Sequence, residues 1–392
     1  MNGDTTGSIK YRTAAAAVEQ VLKQTAAVAV PGMSVAAICS YADSLVEATC
    51  KSVFRKDDSI ERGVAFPTTV SVNRVIQNYS PGPEEDYVLR EGDVVKLEVG
   101  AHIDGYISSA AHTVVATNAP GTSIADRRAD AICAAHYACE VAVRMIRPGQ
   151  SAHHMVKALG LVASGFKCTV AAETFTSQID RFVMSGRNTF ANRFNPNVQV
   201  PSLVFEAGEV YTVDCTMSTG NGIARESTYS PAIYQRDVNQ QHSLKLRTSR
   251  ALFTSVNREH SVFPFLMRGV VGSSQSLKAG VSECVRSQLL VPFAVTMDKE
   301  PGDTFVAQFK ATVLCHHTGP VRLTRALPLP NVLPATAIPA ESEIGQILAL
   351  DCEQAALPEL PRLKLPIQTP IPTQPPAGAA AAAVSSASMD TS

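Results

Sequence analysis

One stretch of the sequence, Gly92 to Ala116 (GDVVKLEVGAHIDGYISSAAHTVVA), limits the possible folds more than any other. Two apolar runs, Val94–Val99 and Tyr106–Val115, flank a turn with an Asp-Gly pair, and this pattern of β-branched residues around a glycine predicts a β-hairpin. Glu98 lies within the first predicted strand. A carboxylate in an apolar strand costs free energy unless it is paired, hydrated or bound to a cation. The function therefore depends on the partner of Glu98.

A second stretch, Phe205 to Cys215 (FEAGEVYTVDC), repeats the pattern of the first, with a turn, a Gly-Glu-Val triplet, an apolar strand, and Asp214 near its end. The likeness of EGDVVKLEV to AGEVYTVDC predicts an internally duplicated α/β architecture. Two acidic strand residues at matching places indicate an inherited site. Apolar spacing elsewhere predicts helices at 11–28, 35–54, 124–146 and 152–165, and strands at 63–73 and 305–315.

Composition and charge argue against several classes of protein. The chain has 34 basic and 35 acidic residues, which argues against a globally basic nucleic-acid binder. This balance does not exclude local basic patches. Its nine scattered cysteines include no C-x-x-C pair, which favours reduced thiols in the cytosol or nucleus. No apolar run has the length of a membrane span, and the first residues lack the pattern of a signal peptide. We expect a cytoplasmic protein that can also have a nuclear or nucleolar fraction, and we expect no contact with a membrane.

Two groups of cysteine and histidine look like metal ligands. Cys133, His136 and Cys139 share one face of a predicted helix, but no fourth ligand stands nearby, so we interpret them as part of a packed core face. The Cys-His-His triplet at 315–317 lies at the end of a predicted strand, where adjacent side chains point to opposite faces. We therefore assign the triplet a loop-side role.

The segment from Arg236 to Glu300 is more basic than the rest of the chain. It contains nine lysines and arginines against five acidic residues, a difference of +4. A helix predicted at 244–256 would bury Leu246, Leu252, Phe253 and Val256 and leave Lys245, Arg250 and Arg258 toward solvent. From these residues alone, an ordinary solvated helix face is favoured over a binding surface.

Several motifs resemble, in order, segments of the type 2 methionine aminopeptidase group, and most closely its proliferation-associated, ErbB-binding branch. They are AFPTTVSVN, VVKLEVGAHIDGY, RPG after a helix, AGEVYTVD, LKLRTSRALF and FVAQFKATVL. The resemblance covers about residues 10–350 and implies the α+β pita-bread fold, with two related αβ halves around a central sheet and a helical insertion. We expect a flexible N-terminus at 1–9, a pita-bread domain at 10–235 and 301–350, a basic insertion subdomain at 236–300, and a Pro/Ala-rich disordered tail at 351–392.

The resemblance also implies which residues occupy the metal site of active relatives. Those relatives hold two divalent metals with two aspartates, a histidine and two glutamates, and a further histidine assists the substrate. Carried over in that order, the positions are Glu98, Ser109, Thr176 or the adjacent Ser177, Asp214, Lys310 and Asn78. A lysine has no lone pair for a metal and repels a divalent cation. We expect no metal, no cofactor and no peptidase activity.

The same substitutions suggest a structural replacement for the metals. Our hypothesis is that Lys310 stands between Glu98 and Asp214 and supplies the cation that the site has lost. Buried ion pairs often only offset their own desolvation. The alternative is that these side chains are exposed in a wet cleft and contribute little.

The resemblance implies a function at the ribosome. We expect a non-catalytic, monomeric protein that binds the large ribosomal subunit, with its rRNA and its proteins at the nascent-chain tunnel exit, in ribosome biogenesis or translation regulation. Contacts with the RNA backbone are assigned to Lys245, Arg247, Arg250 and Arg258. One alternative is a scaffold that binds peptides or proteins in the old substrate cleft. The least favoured alternative is a divergent metallo-aminopeptidase.

Overall fold

The fold begins with two helices and a group of antiparallel strands. A computed structural model describes residues 6–194, 203–260, 262–272, 274–329 and 331–367. The hydroxyl of Ser34 caps the second helix by accepting from the backbone N–H of Ala37 at 3.1 Å. The elements of this first half are α1 (Thr6–Val28), α2 (Val35–Lys51), β1 (Arg62–Val72), β2 (Val75–Gln77), β3 (Val94–Ile103) and β4 (Tyr106–Val115).

The second half repeats the plan of two helices followed by long strands. Asp126 and Ser151 cap its two helices with their side chains. Its elements are α3 (Arg127–Met145), α4 (Ala152–Gly165), β5 (Thr169–Val170), β6 (Phe175–Ile179), β7 (Thr189–Ala191), β8 (Val210–Ser218) and β9 (Ala224–Glu226). After β9 the chain forms β10 (Ile233–Arg236), α5 (Arg247–Glu259), β11 (Phe265–Leu266), α6 (Met267–Val271), α7 (Gln275–Arg286) and β12 (Leu290–Phe293). The last elements are β13 (Thr296–Asp298), β14 (Val306–His316), β15 (Gly319–Arg322), α8 (Glu343–Leu348) and β16 (Glu353–Gln354).

One large sheet joins the two halves. Its central order is β1-β3-β4-β14-β8-β6-β7, and all of these neighbours are antiparallel. The helices α1 and α2 pack on the β3 side and α3 and α4 on the β8 and β14 side, each pair with its own buried cluster. This two-part arrangement agrees with the predicted duplication, and it confirms the predicted hairpin of β3 and β4.

A small sheet and three helices form a separate cluster between β9 and β13. The strands β10, β11 and β12 pair with one another, and a buried core that includes Leu252, Val256 and Cys284 joins them to α5, α6 and α7. The predicted boundary of the insertion at 236–300 stays a prediction. The predicted helix begins at Arg247 rather than at 244, and Leu246 is 51% exposed, contrary to our expectation, because it precedes the helix while Leu244 enters the core.

Both predicted chain ends need correction. The helix α1 begins at Thr6, so residues 6–9 are helical and not flexible. The predicted tail is ordered over 351–367, because β16 pairs with β15 in parallel and Ala355 is buried. Leucines at 357, 360 and 365 pack on the cores, which gives this part the burial that the averaged composition concealed. Residues 1–5 and 368–392 lie outside the described residues.

The group of Cys133, His136 and Cys139 packs as the sequence predicts, whereas the loop-side role expected at 315–317 is wrong for Cys315, which lies buried on β14. Cys133 and Cys139 are buried in the core of the second half, and His136 stacks edge-on against Phe309 at 5.4 Å. Among the described residues, no group of three His, Cys, Asp or Glu side chains is placed to hold a metal ion. No helix in the same part of the chain is long and apolar enough to cross a membrane.

Candidate functional site

The candidate site lies on the face of the sheet that the helices do not cover. Successive side chains on a strand point to opposite faces. On β3, Leu97 and Val99 enter the helix-covered core, so Glu98 between them points the other way. The same alternation on the other two central strands adds further polar side chains to this surface, which we call the polar face. Its members on the three strands are Lys96, Glu98, Asp214, Thr216, Gln308, Lys310 and Thr312.

Lys310 joins the two acidic residues that the sequence singled out. Its Nζ lies 2.7 Å from Oε1 of Glu98 and 3.6 Å from Oδ2 of Asp214. The register explains the arrangement, because Lys310 is opposite Asp214 on β8 and opposite Ala111 on β4, and Ala111 is in turn opposite Glu98 on β3. The predicted pairing is therefore confirmed.

Gln308 is a member of the site that the sequence interpretation missed. Its Nε2 donates to both carboxylate oxygens of Asp214 at 3.0 Å and approaches Oε2 of Glu98 at 3.3 Å. Gln308 precedes Lys310 by two residues on β14, so the period of a strand places both on the polar face. The spacing of two residues between Gln308 and Lys310 was the sequence signal that could have identified Gln308 as a member of the site. We call Glu98, Asp214, Gln308 and Lys310 the ionic cluster.

Burial governs the protonation of the ionic cluster. The side chains of Glu98, Asp214 and Lys310 are 8%, 11% and 18% exposed, so the alternative of a wet cleft is wrong for these three. Burial, with the Glu98 carboxylate, raises the pKa of Asp214 above its ordinary value, although Lys310 acts in the opposite direction. For Lys310, burial lowers the pKa, but the two carboxylates outweigh it and the pKa is raised. One permanent cation thus faces two carboxylates.

Two other positions that the resemblance assigns to the former metal site, Ser109 and Thr176, form hydrogen bonds with residues beside the ionic cluster. Thr312 Oγ1 accepts from the backbone N–H of Ser109 and donates to its carbonyl, both at 2.9 Å. Thr176 Oγ1 donates to Oδ1 of Asn192, whose Nδ2 donates to the backbone carbonyl of Asp214 at 2.6 Å. Ser109 and Thr176 therefore lie on strands that flank or support the cluster.

Asn78 directly follows β2 and contacts a different part of the chain. Its φ is 67°, a left-handed conformation that asparagine tolerates better than most residues. Its Nδ2 donates to the carbonyl of Ala294 at 2.9 Å. The structure thus joins Glu98, Asp214 and Lys310 directly, and ties Asn78 to the segment that follows β12.

Aromatic residues of the segment 236–300 cover one end of the polar face. The ring of Phe263 stacks on His102, four residues beyond Glu98 on β3, with ring centres 4.1 Å apart. Phe293 packs edge-on against Phe66 of β1 at 5.5 Å. The first contact holds His102 in a buried place, and burial lowers its pKa to about 4.

The residues predicted to contact RNA gather mainly at the start of α5. Lys245, Arg247 and Arg250 are exposed, and we call them the basic helix start. The Nη1 of Arg250 donates to the carbonyls of Leu244 and Lys245, both at 2.9 Å, so neutral groups orient its guanidinium. The carboxylate of Glu283 on α7 accepts from the backbone N–H groups of Lys245 and the next residue.

Arg258 lies apart from the basic helix start, in the last turn of α5. Its guanidinium is 73% exposed and donates to Glu259 at 2.5 Å. An acidic neighbour therefore offsets part of its charge. The structure places three of the four predicted RNA-contact residues in one group and the fourth at the other end of the helix.

Similar proteins identify the family. A profile of the metallopeptidase family M24 matches residues 9–169. Proliferation-associated protein A of Dictyostelium discoideum is 35% identical over 323 residues, which are 82% of this chain and 83% of that protein. ERBB-3 binding protein 1 of Solanum tuberosum is 33% identical over 343 residues, 87% of each chain. The chain belongs to the proliferation-associated, ErbB-binding branch of the methionine aminopeptidase-like family.

The solved structure of a thermophilic Arx1 has the same fold as this member of the branch. Its TM-score is 0.79 at 27% identity, and the match covers 88% of this chain and 99% of that chain. The pita-bread fold that the sequence motifs predicted is therefore confirmed.

Proposed function

We propose that this protein is a non-catalytic member of the methionine aminopeptidase-like family that binds the large ribosomal subunit. Its partners there are rRNA and ribosomal proteins at the tunnel exit, and it acts in ribosome biogenesis or translation regulation in the cytoplasm, with a nuclear or nucleolar fraction. The observation that supports the non-catalytic part most directly is the 2.7 Å contact of Lys310 with Glu98. An ammonium group of the chain itself lies beside the carboxylates that would otherwise bind a cation.

The side chains of the polar face do not fit a pair of divalent metals. We assign the former ligand and substrate positions to Glu98, Ser109, Thr176, Asp214, Lys310 and Asn78. Of these, Glu98 and Asp214 alone carry carboxylates, and Lys310 repels a divalent ion from the space that it shares with them. Carboxylates and imidazoles are the ligands that such ions need, so no step of peptide hydrolysis is assigned to this site.

The basic helix start supports the ribosomal part of the proposal. The N-terminus of a helix carries partial positive charge, and Lys245, Arg247 and Arg250 add three cations there. Such a group suits the phosphate oxygens of RNA. Glu283 reduces the local charge, but its oxygens are held by the backbone N–H groups of Lys245 and the residue after it. Arg258 is assigned a weaker contact.

The burial of the ionic cluster weighs against the alternative of a peptide in the old cleft. The most exposed of its charged side chains, that of Lys310, is 18% exposed, and Phe263 covers the neighbouring His102. A peptide would have to displace these contacts to reach the carboxylates. A surface contact through the basic helix start needs no such rearrangement.

The proposal is tested by co-sedimentation of the purified protein with isolated large ribosomal subunits across a salt series. We expect binding at low salt that weakens steeply as salt rises, and loss of binding when Lys245, Arg247 and Arg250 are changed together to Glu. A matched control changes Lys51, Arg55 and Lys56 to Glu, which alters the net charge equally at another exposed place. The control variant is expected to bind like the wild type.

Two results would contradict the proposal. Absence of ribosome binding at every salt concentration, or an equal loss of binding in both triple variants, would contradict a ribosomal contact through α5. Stoichiometric divalent metal in the purified protein, together with cleavage of peptides that begin with methionine, would remove the non-catalytic assignment. The two parts of the proposal are thus tested separately.

A further inference from the structure

Two adjoining cavities open on the helix-covered side of the second half, far in the sequence from the basic helix start. The first, of about 460 Å³, lies between the end of α3, the start of α4, and α8. The second, of about 610 Å³, lies between α3, the segment after β15, and the segment that joins α8 to β16. Arg144 lines both cavities, so they form one continuous surface.

This surface collects basic residues that are scattered along the chain. Five lysine and arginine side chains line the two cavities against two carboxylates, whereas the whole chain has a net charge of -1. We call this surface the basic groove. Its charged residues are Arg144, Arg147, Lys157, Arg322 and Arg325, with Glu140 and Glu343.

Two of the five cations, Arg147 and Lys157, have no carboxylate partner among the described residues, and a third, Arg325, has one distant partner, Glu19. Glu140 accepts from both Arg144 and the buried Arg322, and so offsets much of their charge. Arg147 donates to the carbonyls of Arg144 and Asp351, and no carboxylate is among its partners in the described part of the chain.

The remaining two cations line different cavities, Lys157 the first and Arg325 the second. Arg325 is exposed and donates to the carbonyl of Ala355 at 3.4 Å, while its Nε is 4.0 Å from a carboxylate oxygen of Glu19. Lys157 is exposed on α4. Neutral acceptors orient Arg147 and leave its charge available, whereas Glu19 offsets part of the charge of Arg325. The groove therefore retains positive charge for an anion.

Apolar side chains line the same two cavities as the cations. Met145, Ile347 and Leu350 line the first cavity, and Tyr137 and Leu348 line the second. Leu350 is 43% exposed, which is high for a leucine beside a helix layer. A ligand of this groove therefore meets both positive charge and apolar surface.

We propose that the basic groove binds an extended acidic segment of a partner protein that carries both carboxylates and apolar side chains. Guanidinium groups match carboxylates in planar geometry, and the enclosed apolar patches suit leucine-like side chains. RNA offers anions and flat base faces but no aliphatic side chains to match Met145, Ile347 and Leu350, so an acidic protein segment fits the lining better. The proposal concerns a surface separate from α5 and does not depend on ribosome binding.

The test measures fluorescence anisotropy of a short labelled peptide with alternating Glu and Leu, titrated with the full-length protein. Comparison probes are a Glu-Ser peptide, a Lys-Leu peptide and a single-stranded RNA. The groove variant carries Arg147→Glu, Lys157→Glu and Arg325→Glu, and the control variant carries the same change at Lys51, Arg55 and Lys56. We expect the Glu-Leu peptide to bind the wild type and the control alike, and the groove variant at least about tenfold more weakly, a change of about 1.4 kcal/mol.

Four results would overturn the proposal. These are absence of Glu-Leu peptide binding, equal loss in both triple variants, binding of the Glu-Ser peptide as tight as that of the Glu-Leu peptide, or tighter binding of RNA to the groove. If the groove variant does not fold, the single change Lys157→Glu at an exposed position repeats the comparison. The groove variant keeps the basic helix start, so it should still co-sediment with large ribosomal subunits if the proposed function is right. Peptide binding and ribosome binding can therefore fail independently of each other.

Discussion

The ionic cluster and the basic helix start use the same kinds of charged side chain in opposite ways. In the ionic cluster, Lys310 and Gln308 contact the carboxylates of Glu98 and Asp214, and every member comes from a central strand. In the basic helix start, Arg250 is oriented by carbonyl oxygens on an exposed surface. The first group satisfies its charges internally, and the second leaves them available.

The difference indicates which group maintains the fold and which is available to a partner. A buried charge that loses its partner costs several kcal/mol, whereas an exposed pair contributes about 1 kcal/mol or less. Changes in the ionic cluster should therefore affect stability first. Changes in the basic helix start should affect binding and leave stability almost unchanged.

The start of α5 also departs from the usual rule for helix termini. Acidic residues are favoured in a first turn because of the helix dipole, but α5 has none there and begins instead with Arg247. Glu283 from α7 supplies a carboxylate to the backbone N–H groups just before the helix. The helices α1, α2, α4, α6 and α7 also have no acidic residue in the first turn, so this absence does not by itself indicate an anionic partner.

The largest effect on the free energy of unfolding is expected from Lys310→Glu in the ionic cluster. The change places a third carboxylate beside Glu98 and Asp214 in a buried site, and we expect a loss of at least about 3–5 kcal/mol of unfolding free energy in urea titrations. Lys299→Glu, the same charge change at an exposed position, is the control and should have little effect. A Lys310→Glu protein that stays folded and binds two divalent ions tightly would show instead that the site retains a metal centre.

A smaller effect is expected at the contact between β3 and the segment 236–300, where His102 stacks on Phe263. Burial lowers the pKa of His102 from 6.5 to about 4, so the unfolded chain binds this proton more readily than the folded protein. Stability is therefore lost as the pH falls from 6.5 to 4, by about 3 kcal/mol for this group. His102→Gln should remove that part of the pH dependence in unfolding titrations.

The exposed His153 provides the control for this measurement. His153→Gln should leave the acid sensitivity of the wild type in place. If His102→Gln loses stability on acidification as steeply as the wild type, the histidine is charged in the folded protein. The contact with Phe263 would then not exclude water from the polar face.

A third effect follows from the excess of negative charge in the ionic cluster. Because the pKa of Asp214 is raised in the folded state, the folded protein holds this proton more tightly, and stability falls as the pH rises above 3.8. Asp214→Asn should therefore gain stability relative to the wild type from acid toward neutral pH. Glu98→Gln, which removes the partner of Lys310 at 2.7 Å, is the comparison and should destabilise. A relative loss by Asp214→Asn toward neutral pH would mean that its carboxylate attracts Lys310 more than it repels Glu98.

The sequence predicted what depends on strand period and motif order. The matching places of Glu98 and Asp214 in two similar strands indicated one inherited site, and the family motifs placed Lys310 between them, as the structure shows. Gln308 was missed because a neutral side chain in a strand gives no charge signal, although it shares the face of Lys310. The basic groove was missed for another reason: Arg144 and Arg325 are far apart in the chain, and only packing of α3 against the segment after β15 brings them together.

The smallest expected effect distinguishes two arginines on α5. Arg250 is oriented by carbonyl groups and keeps its charge, whereas Arg258 donates to Glu259 at 2.5 Å. Each phosphate contact contributes about 1 to the slope of log affinity against log salt. Arg250→Gln should lower the slope for large ribosomal subunits by about 1, and Arg258→Gln should change it by less, because the pairing with Glu259 already offsets its charge. Equal changes in the two variants would show that Arg258 leaves Glu259 on binding, and the contact would then extend along the whole helix.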